Sequence, residues 1–299
     1  MNDFQTLKKV ITLTLTVGVL PFVFFTHAHE LTEPKGETPA SAEVQKQPAD
    51  NPGSGETNRK SEFTYGAKAT LQTTYLWRGL YAGGANIQAS ANVGYYGFYA
   101  DMWWNIGVTD WRFNTFLPEV DITLGFSRWG LNVFILYIHN FDCGFFDFAN
   151  YAYKGNRLEL NARYTISKKI PLTFAWATRV GASDGYFNEK GELVQAYSSY
   201  AEISYTQALP YDLALFGAVG ISPWRSIYSF YERQFVVSNI ELRLIKKWNI
   251  GKHTGVSLQG QISLNPSALA KDMTTSEWHP YEPFRQSVNA NIGTTIFLQ

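Results

Sequence analysis

The sequence is poor in the features that mark several common protein classes. Its 299 residues include one cysteine, Cys143, and only three methionines, while 25 Lys and Arg balance 25 Asp and Glu. A single thiol excludes an intramolecular disulfide framework, and a net charge of zero argues against nucleic acid as a partner. Beyond the N-terminal region, no apolar run approaches the roughly 18–20 residues that a transmembrane helix requires.

Aromatic residues are the most abundant distinctive feature. They make up 16% of the chain, yet the mean hydropathy is only −0.18. A soluble domain of this size has no need for nine Trp and eighteen Tyr. A membrane barrel does need aromatic girdles at both interfaces, together with a polar interior. The composition therefore favours a β-barrel with lipid outside and water inside.

The N-terminus has the pattern of an export signal. Lys8 and Lys9 precede an apolar run from Val10 to Phe25, and Ala28 suits a signal-peptidase site. We predict a signal peptide over residues 1–28; a retained anchor is the alternative. Residues 29–62 are rich in Pro and charged residues and have little apolar surface to bury, so we predict a disordered periplasmic linker. Residues 63–299 form the predicted barrel domain.

Alternation of apolar and polar residues is the main structural signal, and it is clearest from Tyr65 to Trp77. Successive strand residues point to opposite faces, so this stretch predicts one long strand with an oily and a polar face. Membrane-spanning strands need about 9–11 residues. We expect Leu71 to face lipid, and Tyr75 and Trp77 to lie at the outer membrane interface.

Twelve such segments follow one another, and their connections alternate between short turns and long loops. This asymmetry is typical of bacterial outer-membrane barrels. The sequence therefore predicts an all-β fold, a twelve-stranded antiparallel transmembrane β-barrel in the bacterial outer membrane. A soluble β-sandwich or propeller is the alternative, but it does not explain the loop alternation. The fifth segment, Leu131 to Phe141, is apolar on both faces, so its inner face is expected to pack against a loop.

A resemblance supports this fold over residues 64–130. The string Tyr75-Leu76-Trp77-Arg78-Gly79 is followed by Gly83-Gly84 and Gln88, then by Gly97-Phe98-Tyr99-Ala100 and Trp103-Trp104. It resembles a family of bacterial porin-like proteins in which an aromatic-Arg-Gly turn follows the first strand. The resemblance implies an outer-membrane barrel with a channel, and it implies no substrate.

The inward faces of the predicted strands carry nearly balanced charges. Such residues either tune the passage of solutes, as charged rings do in other pores, or pair with one another and fill the interior. Barrels of about eight strands hold only side chains, and those of 16–18 hold an aqueous channel, so a barrel of intermediate size leaves both interpretations open. The predicted pore-lining residues are Lys68, Asp101, Glu119, Asp121, Arg157, Glu159, Arg163, Arg179, Glu202, Glu241 and Arg243.

Two aromatic loops are candidate ligand-binding or constriction elements. The loop from Asp142 to Tyr153 and the loop from Ser222 to Glu232 combine flat aromatic faces with charged groups. This arrangement suits a sugar or another ligand; the alternative is an outer aromatic girdle together with a loop folded into the mouth of the barrel. The candidate residues are Phe145, Phe146, Tyr151, Trp224 and Arg225.

Catalytic and metal sites have little support in the sequence. A lipid hydrolase needs a Ser within reach of a His base, and no Ser adjoins His139, which we expect to be an interfacial side chain. Asp142, Asp147 and Asn150 offer oxygen ligands suited to Ca²⁺, but their spacing matches no known loop. We predict no enzyme activity, no metal and no cofactor.

The sequence as a whole predicts a porin-like channel in which small polar solutes diffuse passively through a charge-lined lumen constricted by folded-in loops. A non-conducting structural or ligand-binding barrel is the main alternative, and a lipid-modifying hydrolase is a weaker one. The expected partners are outer-membrane lipid and lipopolysaccharide, the barrel-assembly machinery and small polar solutes.

Overall fold

A computed structural model of the chain describes residues 63–109, 118–149, 155–232, 234–269 and 285–298. The predicted signal peptide and linker lie outside these residues. The described strands are β1 (Phe63–Gln72), β2 (Tyr75–Trp77), β3 (Leu80–Gly83), β4 (Asn86–Tyr95), β5 (Phe98–Gly107), β6 (Glu119–Arg128), β7 (Leu131–His139), β8 (Arg157–Thr165), β9 (Leu172–Ala182), β10 (Gly185–Phe187), β11 (Leu193–Gln195), β12 (Ser199–Leu209), β13 (Leu213–Ser222), β14 (Val236–Asn249), β15 (Thr254–Leu264) and β16 (Val288–Leu298).

Within the described residues, twelve of these strands close into one antiparallel barrel. Its order is β1-β16-β15-β14-β13-β12-β9-β8-β7-β6-β5-β4, and pairing of β4 with β1 completes the circle. The first and last barrel strands pair through Ala67 and Leu298. Closure leaves no strand edge unpaired, which is the condition for a sheet to exist in lipid. The predicted fold class is confirmed.

Exposure follows the alternation of the sequence. In β16 the outward Ile292 is 61% exposed, whereas its neighbour Asn291 is 1% exposed. The same reversal occurs in β4, where Ile87 points outward and Asn86 and Gln88 are buried. Since successive side chains lie on opposite faces of a strand, the outer wall of the barrel is apolar and its inner wall is polar.

The connections also follow the predicted alternation. Short turns join β4 to β5, β6 to β7, β8 to β9, β12 to β13 and β14 to β15, and long connections join the strands at the other end. We call these the short-turn end and the long-loop end. The long loops contain the paired strands β10 and β11, a 3₁₀ helix at Ile227–Ser229 and a short helix, α1, at Pro266–Leu269. No helix among the described residues is long and apolar enough to cross a membrane.

The first strand differs from its prediction. The wall strand β1 ends at Gln72, and residues 75–83 form a separate hairpin of β2 and β3. At the bend, the Asn291 side-chain oxygen accepts hydrogen bonds from the Thr73 hydroxyl and the Thr74 amide, at 3.3 and 3.2 Å. We call residues 75–83 the lumen hairpin.

The prediction that Tyr75 and Trp77 lie at the outer membrane interface is wrong. Their side chains are 3% and 7% exposed and belong to the main buried aromatic cluster. Alternation continues through the bend because β2 is itself a strand. A period of two therefore identifies a strand without showing whether it lies in the wall or inside the barrel.

The apolar inner face of β7 packs as the sequence indicates. Phe134, Leu136 and Ile138 form a buried cluster. Phe134 and Leu136 line a cavity of about 20 Å³ together with Trp77 and Arg78. This stretch of the inner wall is apolar because it faces the lumen hairpin.

Candidate functional site in the lumen

The predicted pore-lining residues all lie on inward positions of their strands, at two levels of burial. Lys68, Glu119, Arg157, Arg163 and Glu202 are half-buried. The buried ones are Asp101, Asp121, Glu159, Arg179, Glu241 and Arg243. Several make ion pairs inside the barrel: Glu241 pairs with Arg243, and Arg179 lies 3.8 Å from Asp184.

The lumen hairpin crosses the barrel and is held by Arg78. The two terminal nitrogens of Arg78 each donate to one carboxylate oxygen of Glu159 on β8, both at 2.8 Å. They also donate to the Tyr228 hydroxyl at 2.6 Å and to the Asn161 side-chain oxygen at 3.0 Å. In the strand order β8 lies nearly opposite the β1 and β4 strands from which the hairpin emerges. The Arg78–Glu159 pair therefore joins opposite walls.

Aromatic rings surround the Arg78 guanidinium. It lies 4.8 Å from the Trp77 ring centre, 5.1 Å from that of Tyr200 and 5.9 Å from that of Tyr228. Cations bind favourably over such faces at these distances. Arg179 covers Trp77 at 5.2 Å, so Trp77 contacts two guanidinium groups.

Burial and charge act in opposite directions on the titration of this cluster. Burial lowers the pKa of Arg78, but the adjacent Glu159 carboxylate outweighs it and leaves the pKa raised. Burial raises the pKa of Tyr228 to about 12, although Arg78 favours the phenolate. Arg78 is therefore cationic and Tyr228 a neutral hydroxyl at neutral pH.

The tip of the lumen hairpin rests on β14. Arg78 and Gly79 have φ angles of 52° and 82°, and positive φ at both central residues is the pattern of a tight type I′ hairpin turn. The Gly79 carbonyl accepts a hydrogen bond from the Asn265 side chain at 3.1 Å. A Cβ atom at Gly79 would collide with the Ser238 carbonyl, so the hairpin backbone touches the wall.

The base of the lumen hairpin is anchored on β5 and β6. The Tyr75 hydroxyl donates to Glu119 at 2.8 Å, and the Tyr75 ring lies 5.7 Å from that of Trp103. The other Glu119 oxygen accepts from Asn140 at 2.6 Å. Contacts at its base, at Arg78 and at its tip thus fix the hairpin across the lumen.

A second loop packs beside the hairpin through Asp184. The Asp184 carboxylate accepts from the Ser198 amide and hydroxyl at 2.7 and 2.6 Å and from the Tyr231 hydroxyl at 3.0 Å. Burial raises the pKa of Asp184, while Arg179 and Ser198 favour its charged form. The Ser198 hydroxyl also accepts from the Ile227 amide at 2.9 Å. Asp184 and Ser198 therefore join the loop after β9 to the loop after β13.

Replacing Ser198 with alanine is expected to destabilise the protein by about 1–3 kcal/mol, because a buried carboxylate oxygen and the Ile227 amide both lose their partner. Denaturant titration in detergent measures the change. Ser90→Ala is the matched control, since the buried Ser90 hydroxyl has no hydrogen-bond partner among the described residues. An equal effect of the two substitutions would contradict this role for Ser198.

The candidate ligand-loop residues occupy the rim. Phe145 and Phe146 are exposed, Trp224 is exposed and donates to the Tyr197 carbonyl, and Arg225 lies 5.1 Å from the Tyr186 ring. Tyr151 lies outside the described residues. The described elements that fill the lumen are the lumen hairpin and the segment from Tyr228 to Tyr231, which belongs to the second of the predicted aromatic loops. A ligand-binding role for the rim aromatics stays a prediction.

The His139 side chain is part of the fold at this rim. It is buried, its Nδ1 atom lies 2.6 Å from the Asn156 side-chain oxygen, and the rings of Phe141 and Phe145 cover it. The Asn156 amide nitrogen donates in turn to the carbonyls of Gly144, Phe145 and Asp147. His139 is thus buried beneath its loop rather than placed at an open interface. Within the described residues, no group of three His, Cys, Asp or Glu is arranged to hold a metal ion.

Apart from Lys68 on β1, uncharged amide and hydroxyl groups line the other half of the lumen, on β15, β16, β1 and β4. Some pair with each other: the Gln72 amide donates to Asn86 at 3.1 Å, and Asn291 donates to Gln72 at 3.2 Å. Others are shielded from solvent and have no hydrogen-bond partner among the described residues, including atoms of Gln88 and Gln261. Buried polar groups are nearly always hydrogen-bonded to protein or water, so we expect water or a residue outside the described ranges to bind these atoms.

The sequence does not predict Arg78 and Asp184 as lumen residues. Alternation places Arg78 at the end of a wall strand, and Asp184 lies in a loop, where alternation gives no direction. Tyr228 belongs to the aromatic loop from Ser222 to Glu232, one of the two loops that the sequence offers as constriction elements. The apolar inner face of β7 is a second signal, and it indicates that a loop enters the barrel.

Comparisons with known proteins add limited information. No family model and no curated protein matches the chain. Among solved structures, a NanC porin in a rhombohedral crystal form matches 79% of this chain and 100% of its own, with 8% identity and a TM-score of 0.42. Salmonella typhi OmpF in complex with daunomycin matches 80% of this chain and 97% of its own, with 7% identity and a TM-score of 0.33.

At such low scores, the fold assignment depends on the strand pairing itself. The molecule is a closed antiparallel β-barrel with a polar lumen and a hairpin folded across it. The resemblance of residues 64–130 to the porin-like family stays a prediction from sequence.

Proposed function

We propose that this protein is an outer-membrane channel for passive diffusion of small polar solutes, and that the conformation described above is its closed state. The observation that carries the proposal is the uncharged polar wall with shielded, unpaired atoms such as those of Gln88 and Gln261. A barrel filled as a solid core would pair these side chains with one another or with side chains of the opposite wall. A wall that needs water to satisfy its hydrogen bonds suits a hydrated passage.

The outer surface supports the proposed membrane location. The outward positions carry large exposed apolar side chains along the barrel strands, including Leu124 and Ile292. Exposed apolar area on this scale costs free energy in water, because hydrophobic surface is best removed from it. The long-loop end would face the outside of the cell and the short-turn end the periplasm, as is usual for outer-membrane barrels.

The contacts of the lumen hairpin suit a movable element. They are hydrogen bonds, one ion pair and ring contacts, and water could replace the polar ones if the hairpin swung out. Desolvation of Arg78 and Glu159 costs free energy that their attraction must offset, so their rehydration would partly compensate for breaking the pair. A closed state held this way is reversible.

A non-conducting barrel is the second candidate, and the lumen hairpin itself favours it. Arg78 contacts β8 and Gly79 contacts β14 while the base remains on β5 and β6. A hairpin held by this many strands suits a barrel that never opens. The two candidates differ in one measurable property, conductance.

Purified protein in planar bilayers is expected to give discrete current steps, and Arg163→Glu is expected to shift the reversal potential in a salt gradient toward cation permeation. Arg163 is half-buried on the inner wall, where an added negative charge attracts cations. Lys190→Gln, on an exposed loop, is the control. Absence of steps under any voltage or salt condition would refute the channel, and steps with an unchanged reversal potential would exclude the lumen as their path.

A further inference from the structure

The two ends of the barrel differ in charge. Basic side chains gather at the short-turn end, where Asp212 is the acidic residue among those described. The long-loop end instead exposes the carboxylates of Asp142, Glu189, Glu192 and Glu232. We define the basic rim as Arg128, Lys168, Lys169, Lys246 and Lys252.

Exposed aromatic and aliphatic side chains lie next to the residues of the basic rim. Trp129 is 72% exposed, Tyr211 84% and Ile250 70%. The Arg128 guanidinium lies 4.7 Å from the Trp129 ring centre, and Lys246 lies 5.6 Å from that of Trp248. Amphipathic rings beside cations are typical of protein at the depth of lipid headgroups.

The exposed charges of the rim also have the same sign around the barrel. Lys168, Lys169, Lys252 and Arg128 are exposed, and they occupy three separate turns around the barrel. Lys246 is 3.8 Å from Asp212, so the Asp212 carboxylate offsets the positive charge of Lys246. The three turns that carry Arg128, Lys168 with Lys169, and Lys252 present positive charge at the edge of the apolar outer wall. A phospholipid at this edge would place its phosphodiester beside a cation and its acyl chains on apolar surface.

We propose that the basic rim binds anionic phospholipids of the membrane leaflet that surrounds the short-turn end. This inference rests on the proposed membrane location and adds a lipid preference to it. A phospholipid suits the rim better than a soluble anionic polymer, because the cations are interleaved with exposed apolar side chains. Each Lys or Arg near a membrane surface adds roughly a fivefold preference for acidic lipid.

The test compares nanodiscs of phosphatidylcholine alone with nanodiscs that also contain phosphatidylglycerol. After mild extraction, native mass spectrometry counts the lipids of each kind that stay bound. We expect enrichment of phosphatidylglycerol over its share in the nanodisc, a decrease at high salt, and a roughly fivefold loss for each basic residue removed in Lys168→Gln/Lys169→Gln. Both lysines lie in an exposed turn, so the barrel should fold unchanged.

Lys190→Gln removes one positive charge at the long-loop end; it is the control and should keep the full enrichment. Lys168→Glu/Lys169→Glu should lower the enrichment further than the Gln pair does and leave the part that Arg128, Lys246 and Lys252 provide. Normal insertion without enrichment would overturn the lipid proposal, and so would equal losses in the control. Binding to purified peptidoglycan that depends on the two lysines, with no lipid enrichment, would assign the rim to the cell wall instead.

The outcome is separable from that of the proposed function. A barrel that inserts and enriches phosphatidylglycerol without conducting would leave the rim proposal standing and refute the channel. A barrel that conducts without enrichment would do the reverse. Failure to insert into either nanodisc would count against the membrane location on which both proposals depend.

Discussion

Arg78→Ala is expected to convert the closed barrel into one that is open for most of the time. The substitution leaves the Glu159 carboxylate, which is fully buried, without its paired cation. Removing one partner of a buried ion pair costs about 3–5 kcal/mol. That cost falls on the closed state, because Glu159 is hydrated once the lumen hairpin leaves. With about 1.4 kcal/mol for each tenfold change, the open-to-closed ratio should rise by roughly a hundredfold or more.

Single-channel recording in planar bilayers measures this change as open probability. Arg78→Lys should have an intermediate effect, because an ammonium group cannot reproduce the two parallel hydrogen bonds of the guanidinium. Arg128→Ala is the control: it removes an exposed arginine that packs on the Trp129 ring at the short-turn end. Circular dichroism and heat-modifiable migration in gels confirm that each variant is folded.

A closed Arg78→Ala barrel that is folded would exclude the Arg78–Glu159 pair as the holding contact. Glu159→Gln offers an independent check from the other wall, since it removes the charge and keeps the shape. Combining it with Arg78→Ala should partly restore the closed state relative to Arg78→Ala alone, because the neutral amide leaves no buried charge without its cation.

Gly79→Ala is expected to open the barrel without removing any charge. Its Cβ atom would lie within the contact distance of the Ser238 carbonyl, and its φ of +82° is unfavourable for alanine. The tip can then no longer rest on β14, so the closed state should lose about 1–3 kcal/mol and the conductance should rise. Single-channel recording again provides the measurement.

Gly191→Ala is a closely matched control for this variant. Gly191 also has a positive φ, +75°, but no atom lies within 4 Å of the position of its Cβ. It reproduces the backbone strain without the collision. If both variants open the barrel equally, the effect comes from strain in general, and the seat of the hairpin on β14 is not what keeps the lumen closed.

Most wall strands and short turns could be predicted, because the residues that determine them are close together in the sequence. Each wall strand separates lipid from lumen, so one residue in two must be apolar, as Ile292 and Asn291 illustrate. Turn residues such as Tyr96 and Gly97, both at positive φ, mark the short connections. These signals lie within a few residues of the features they predict.

The interior of the barrel depends on contacts between distant parts of the chain. Arg78 pairs with Glu159 and Tyr228, and Gly79 with Asn265, through positions that no local pattern connects. The charged inward residues were recognised individually, but their partners were not. The loop from Ser222 to Glu232 was one of two candidates to enter the barrel, and composition alone could not choose between it and the loop at Phe145. Nothing in the composition indicated that the lumen hairpin also enters.

The long reach of these contacts has a consequence for assembly. Arg78 and Glu159 are separated by 81 residues, and Gly79 and Asn265 by 186, so the contacts of the hairpin require most of the wall to be in place. Contacts between residues far apart in sequence form late because closing the intervening chain costs entropy. We therefore expect the newly inserted barrel to be permeable to small solutes at first. Its permeability should fall only when the lumen hairpin packs against β8 and β14.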